Sequence, residues 1–374
     1  MRSTYRFLLR LAIAITIVYT AVLIALVNLE SRLVYPGAYM PPTDTRDWPE
    51  SDRTIQEVQY RTCDGLLLRG RLLEAPPNSN ALTDSLDNAQ NGSVAHQKKE
   101  TVLVLHGNAN RVVYLDDRMR RLAKYLNANV MAAEYRGFED DHTPSEEGLK
   151  QDCIAAMDFL CDRYGLTPND VTIFGTSLGG GCATTLAAQR GAKVVILDRT
   201  FDQLVEVAAE QYPIFPVRSI MKNRFDSISN LQLYRGPLIM IHGDQDEIIS
   251  IERGRNLFRA ASCSPKHWVE VPGLSHMMTL SDETLGQIKT RFHEIVSDIA
   301  KENQSPDEST STTSSSATSS SAPNSAATVP FPKIDRSIDS TIQSLDAPKG
   351  TQAIHVIDVN TDTQPAASEQ SKER

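Results

Sequence analysis

At 374 residues the chain has room for two or three ordinary domains, and 40% apolar with 23% charged residues is globular composition diluted by something polar. A formal net charge of −9, with no basic stripe to displace counterions from phosphates, excludes a nucleic-acid surface. The five cysteines (Cys63, Cys153, Cys161, Cys182, Cys263) form no Cys-x-x-Cys pair, which excludes the usual zinc and dithiol sites. They read as small packed residues; Cys153 and Cys161, on one helix, would lie about 12 Å apart and could not bridge.

Residues 11–27 carry no charge, and Phe7, Leu8 and Leu9 extend the apolar run past Arg10. As a helix, residues 7–27 span about 31 Å, the depth of a bilayer core, with Arg10 snorkelling. A cleaved secretory signal would have a shorter apolar region and a small-x-small site before Glu30. The segment is therefore expected to be a single-pass anchor over residues 1–28, followed by a Pro-containing stalk over 29–53. Arg2, Arg6 and Arg10 precede the span, while Glu30, Arg32, Asp44, Arg46 and Asp47 follow it. That bias predicts a cytoplasmic N-terminus and an extracytoplasmic remainder.

Residues 55–60 and 66–73 alternate around an Asp64-Gly65 turn, a hairpin pattern. A polar loop follows over residues 75–100. Short apolar runs then recur at 101–105, 130–134, 171–174, 194–197 and 238–241, with a last strand over 267–271. Helical patterns separate them at 114–126, 145–164, 178–189, 201–211 and 251–261, and a closing helix is expected at 283–300. Ser145 opens the second of these helices with a capping-box pattern. The alternation predicts an α/β domain over residues 54–300, with a mostly parallel sheet flanked by helices and an antiparallel hairpin at one edge. From residue 301 the chain turns Ser/Thr-rich, and residues 301–374 are expected to be a disordered tail with no identifiable partner. Its apolar patch at 354–359 reads as chance.

The chemistry concentrates at Gly175-Thr176-Ser177-Leu178-Gly179. An apolar strand feeds this pentapeptide and a small-residue helix leaves it, the strand–elbow–helix context that exposes a nucleophilic serine. The helix that follows aims its N-terminal N–H groups at the reaction site. A phosphate-binding turn would need a P-loop lysine or Gly-x-Gly-x-x-Gly spacing, and neither is present. A serine hydroxyl needs a histidine base oriented by a carboxylate, in chain order Ser, acid, His. Asp246, in the acidic loop after the 238–241 strand, is the expected acid, with Asp244 and Asp198 as alternatives. His276, in the loop after the last strand, is the expected base; His242 sits within a strand run and reads as packed, and His142 precedes the elbow. The oxyanion donors are expected to be the backbone N–H groups of Leu178 and of Asn108, in the His106-Gly107-Asn108 loop, where His106 shapes the loop. The pattern calls for no metal and no cofactor.

Six motifs carry a resemblance: Leu105-His-Gly-Asn-Ala109, Glu134-Tyr-Arg-Gly-Phe138, Pro144-Ser-Glu-Glu-Gly-Leu149, Gly175-Thr-Ser-Leu-Gly179, Phe201-Asp202 and His242-Gly-Asp-Gln-Asp246. Together, over residues 30–300, they resemble the membrane-anchored α/β-hydrolase domain-containing proteins. The resemblance implies an α/β-hydrolase fold and Ser177, Asp246 and His276 as a triad. It also implies action on acyl esters or thioesters, with lysophospholipids, monoacylglycerols and palmitoylated protein as substrates of that kind. One departure, Glu139-Asp140-Asp141-His142 where the family carries Gly and Ser, falls in a loop near the family's active-site mouth and puts the substrate in doubt. Glu134 and Arg136 are expected to form a structural pair. A cap is expected over residues 199–236, an apolar cover suited to a substrate presented at a bilayer. Competing readings are a serine peptidase or amidase on the same triad, and a catalytically silent scaffold.

Overall fold

The structure, a computed structural model, describes residues 2–41, 54–75 and 99–302. The chain divides into two units, Met1–Glu308 and Ser309–Arg374. The Ser/Thr-rich tail with its 354–359 patch, most of the 75–100 loop and residues 42–53 of the expected stalk lie outside the described residues.

Eight strands form one sheet: β1 (Ile55–Arg61), β2 (Leu67–Leu73), β3 (Glu100–Leu105), β4 (Ala128–Ala133), β5 (Val171–Thr176), β6 (Val195–Asp198), β7 (Leu238–Gly243) and β8 (Lys266–Val271). Their order is β1-β2-β4-β3-β5-β6-β7-β8, with β1–β2 and β2–β4 antiparallel and every other pair parallel. The apolar runs lack polar alternation because both faces are covered. Leu103, Leu105, Ile173 and Leu197 point into one cluster, while Val102, Val104, Phe174 and Ile196 point into the other, the period of two expected of a strand. On the first face lie α3 (Glu146–Tyr164), α4 (Leu178–Arg190), α7 (Ser227–Leu233) and α8 (Ile251–Ala260); on the second lie α2 (Asp116–Leu126) and α9 (Asp282–Glu302).

Helix starts move where local chemistry competes. The pattern at 114–126 begins as a 3-10 turn, Val112–Tyr114, before α2. Ser145 caps α3 through Gly148 N at 3.1 Å. The helix expected from 201 begins at Leu204, as α5 (Leu204–Gln211), because Gln203 forms a bridge with Asp226 that closes the base of an insertion. That insertion, expected over 199–236, divides in two. α5 and the short α6 (Val217–Ile220) form the cover, whereas α7 packs against α4 and α8 and belongs to the sheet's own helical layer.

α1 (Arg2–Val34) is long and apolar enough to cross a membrane by length and composition, with a mean hydropathy of 2.4 over an 18-residue window. Side chains from Arg2 to Val22 are exposed. The expected stalk needs correction at its start. Residues 29–34 continue α1, and the chain then packs down: Tyr35 is fully buried, and Gly37 N donates to Asn108 O at 2.9 Å. Glycine is required at 37, where a Cβ would lie 2.8 Å from that carbonyl oxygen. Glu30 Oε1 accepts bonds from Lys222 N, Asn223 N and Asn223 Nδ2, all at 2.8 Å. Tyr19 stacks on Phe215 at 5.7 Å and donates to Ile214 O. The end of α1 is thus joined to the cover.

Candidate active site

Ser177 stands between β5 and α4 with φ 53° and ψ −119°, a conformation unfavourable for a residue with a Cβ. The surroundings over-determine it. Ser177 N donates to Asp198 O at 3.0 Å, and Ser177 O accepts from Gly180 N at 2.9 Å and Thr200 Oγ1 at 2.8 Å. A Cβ at Gly179 would collide with the Leu105 carbonyl, so this glycine lets α4 start directly against β3.

His276, in the loop after β8, places Nε2 3.1 Å from Ser177 Oγ. Its Nδ1 lies 2.8 and 3.0 Å from the two carboxylate oxygens of Asp246, in the loop after β7. An Nδ1–H donated to a carboxylate leaves Nε2 free to accept the serine proton. Burial pushes the Asp246 carboxyl up, but the His276 bond and the backbone N–H groups of Ile249 and Ile248 outweigh it and hold the group below its ordinary value. Asp244 is occupied differently, accepting from Gly273 N at 2.6 Å. Asp198 is gripped by Arg199 through two bonds of 2.8 and 2.9 Å. His242 is fully buried and bonded to Ile249 O at 2.9 Å; burial lowers its pKa.

Leu178 opens α4, and Asn108 lies in the loop after β3; both line the cavity that Ser177 and His276 face. Gly107 brings that loop close, since a Cβ there would sit 3.3 Å from Ser177 Cβ. The loop is braced from below. His106 Nε2 lies 2.8 Å from Glu134 Oε1, and Glu134 also accepts from Val112 N and Tyr135 N, each at 3.0 Å. Glu134 and Arg136 therefore do not pair. Two residues apart in the chain leaving β4, they point to different partners: Arg136 binds Asp152 and Asp64. The Glu139-Asp140-Asp141-His142 loop, expected near the mouth, contributes nothing to the cavity lining; Asp140 folds it back by accepting from Gly137 N and His142 N.

Two residues outside the sequence-based set matter here. Arg199, besides gripping Asp198, donates from Nη1 to the carbonyls of Ser275, His276 and Met278 at 2.8, 2.9 and 2.6 Å, pinning the histidine loop. Arg118, on α2, lines the cavity and donates to Thr176 Oγ1 at 2.7 Å. Neither carries a local sequence signal, because both act across the sheet's carboxyl edge.

The cavity measures ≈ 550 Å³. Its apolar lining includes Phe201, together with Leu204 and Val207 of the cover helix α5 and Leu26, Leu33 and Val34 of α1.

Comparison with known proteins places this geometry in context. No family profile matches the chain. It is 30% identical over 262 residues to human alpha/beta hydrolase domain-containing protein 17B, covering 68% of this chain and 81% of that protein. It is 28% identical over 264 residues to the Mycobacterium tuberculosis protein Rv2307c, covering 70% and 85%. Among solved structures, the Pyrococcus furiosus esterase Pf2001 shares the fold, with a TM-score of 0.51 at 17% identity over 69% of this chain and 98% of that one.

Proposed function

We propose that this chain, which belongs to the α/β-hydrolase family, is a serine hydrolase that cleaves acyl esters or thioesters held at a membrane. Ser177 is the nucleophile, His276 the general base and then acid, and Asp246 the residue that orients and stabilises the imidazolium. Attack of Ser177 Oγ on the acyl carbon transfers its proton to His276 Nε2. The backbone N–H groups of Asn108 and Leu178 stabilise the oxyanion. His276 then protonates the leaving alcohol or thiol, and water, activated by the same histidine, releases the acid from the acyl-enzyme.

The observation that carries this reading is the hydrogen-bonded run from Ser177 Oγ through His276 to buried Asp246, opening onto an apolar-walled cavity. The esterase nature of a fold neighbour agrees with it. The same reading takes α1 as a single-pass anchor with its N-terminus cytoplasmic, residues 54–300 as the hydrolase domain and residues 301–374 as a separate tail. An acyl chain in the cavity lies against α1 itself, which favours a substrate entering from the lipid side.

The test is an acyl-chain-length series on the full chain, wild type against Ser177→Ala, with fluorophosphonate labelling alongside. Loss of the nucleophile is expected to lower kcat by roughly 10⁴- to 10⁶-fold and to abolish labelling. Residual activity within tenfold of wild type would sink the mechanism.

A further inference from the structure

Arg118 lines the cavity beside Ser177, and its guanidinium donates to a neutral hydroxyl, Thr176 Oγ1. Every neighbouring carboxylate is committed elsewhere. Asp116, on the same helix, is held by Arg71 through two bonds of 2.7 Å, and Asp198 is held by Arg199. Arg118 forms no ion pair among the described residues. Burial works against its charge. Arg118 is half-buried at the cavity and has no carboxylate partner there, and its planar donors match the oxygens of a phosphate or carboxylate.

The side of the cavity matters. Arg121, one turn along α2, reaches Asp282 at 2.8 Å, at the start of the helix after the histidine loop. α2 therefore presents this face toward the start of the helix that follows the His276 loop. A histidine that protonates the leaving group has that group on its own side.

We infer that Arg118 is an anion-recognition site, and that the substrate is an amphiphile whose acyl chain lies against α1 and the cover while its leaving group carries a phosphate or carboxylate. The inference rests on the acyl-ester reading only for treating the ligand as a substrate; the site itself can be read without turnover.

Calorimetry on the full chain in non-ionic detergent, comparing dodecyl phosphate with the neutral dodecyl glucoside, tests it, because neither probe is an acyl ester. The wild type is expected to prefer dodecyl phosphate. Arg118→Gln is expected to lower that preference by about tenfold to a hundredfold, the loss of charge-assisted bonds. Arg118→Lys, which keeps the charge without the fork, should retain part of it and serves if the glutamine variant does not fold. An unchanged preference in either variant overturns the inference, as does inorganic phosphate binding as tightly as dodecyl phosphate, which would assign the site to a free anion. Failure of Ser177→Ala to abolish hydrolysis would instead count against the serine mechanism and leave this measurement intact.

Discussion

Arg199 offers a sharp test because two separable jobs meet in one side chain. It neutralises Asp198, with side-chain exposures of 1% and 0%, and it holds three carbonyls of the His276 loop. Replacing it by Met strands a buried carboxylate, which costs about 3–5 kcal/mol. At roughly 2–4 °C per kcal/mol for a domain of this size, the unfolding midpoint should fall by about 6–20 °C. Removing both partners together, as Asp198→Leu with Arg199→Met, eliminates the stranded charge and should recover most of that stability. It cannot restore the grip on the histidine loop. The double variant is therefore expected to melt near wild type while kcat on an acyl ester stays depressed and KM changes little. Thermal unfolding and steady-state kinetics on the same preparations decide the matter. A loss below about 1 kcal/mol in Arg199→Met, or recovery of kcat along with stability in the double variant, would refute the reasoning.

Two further outcomes are expected. Asp246 has a folded pKa below its ordinary value, so its contribution to stability is present above about pH 3.9 and is lost as pH falls through the folded value; the gap in unfolding midpoint between wild type and Asp246→Asn should shrink below about pH 4, and a constant gap would contradict the shift. Glu30→Ala removes the acceptor of three bonds to the cover, and the ratio of long-chain to short-chain ester activity should drop about tenfold; an unchanged ratio in a chain-length series would detach α1 from the acyl wall.

Much of the fold could be read from local pattern. Five of the parallel-sheet segments announce themselves as unbroken apolar runs because their strands are buried on both faces, and the strand–Gly-x-Ser-x-Gly–helix context places Ser177 at a bend before any coordinates. Asp246 and His276 could be nominated because each follows a strand in the order Ser, acid, His. What escaped depends on distances that sequence neighbours do not reveal. Glu134 and Arg136 are two residues apart yet serve His106 and Asp152, since the chain turns over 135–138, where Phe138 N donates to Tyr135 O, instead of continuing as a strand. Arg118 sits among Arg120 and Arg121 on a charged helix, and nothing local separates the one turned inward from the others. The tie between Glu30 and Lys222 joins residues 192 apart in the chain. The cover's limits shifted because the Gln203–Asp226 bridge and the packing of α7 are tertiary events.

The backbone of Ser177 has a consequence for anyone reshaping this protein. A φ of 53° suits glycine, whereas a residue with a side chain is held there at a cost of about 1–3 kcal/mol. Screening this chain for thermal robustness would accordingly favour glycine at 177 and delete the hydroxyl that His276 meets at 3.1 Å. At this residue the pull toward durability and the pull toward chemistry run in opposite directions, and a melting curve alone would reward the wrong one.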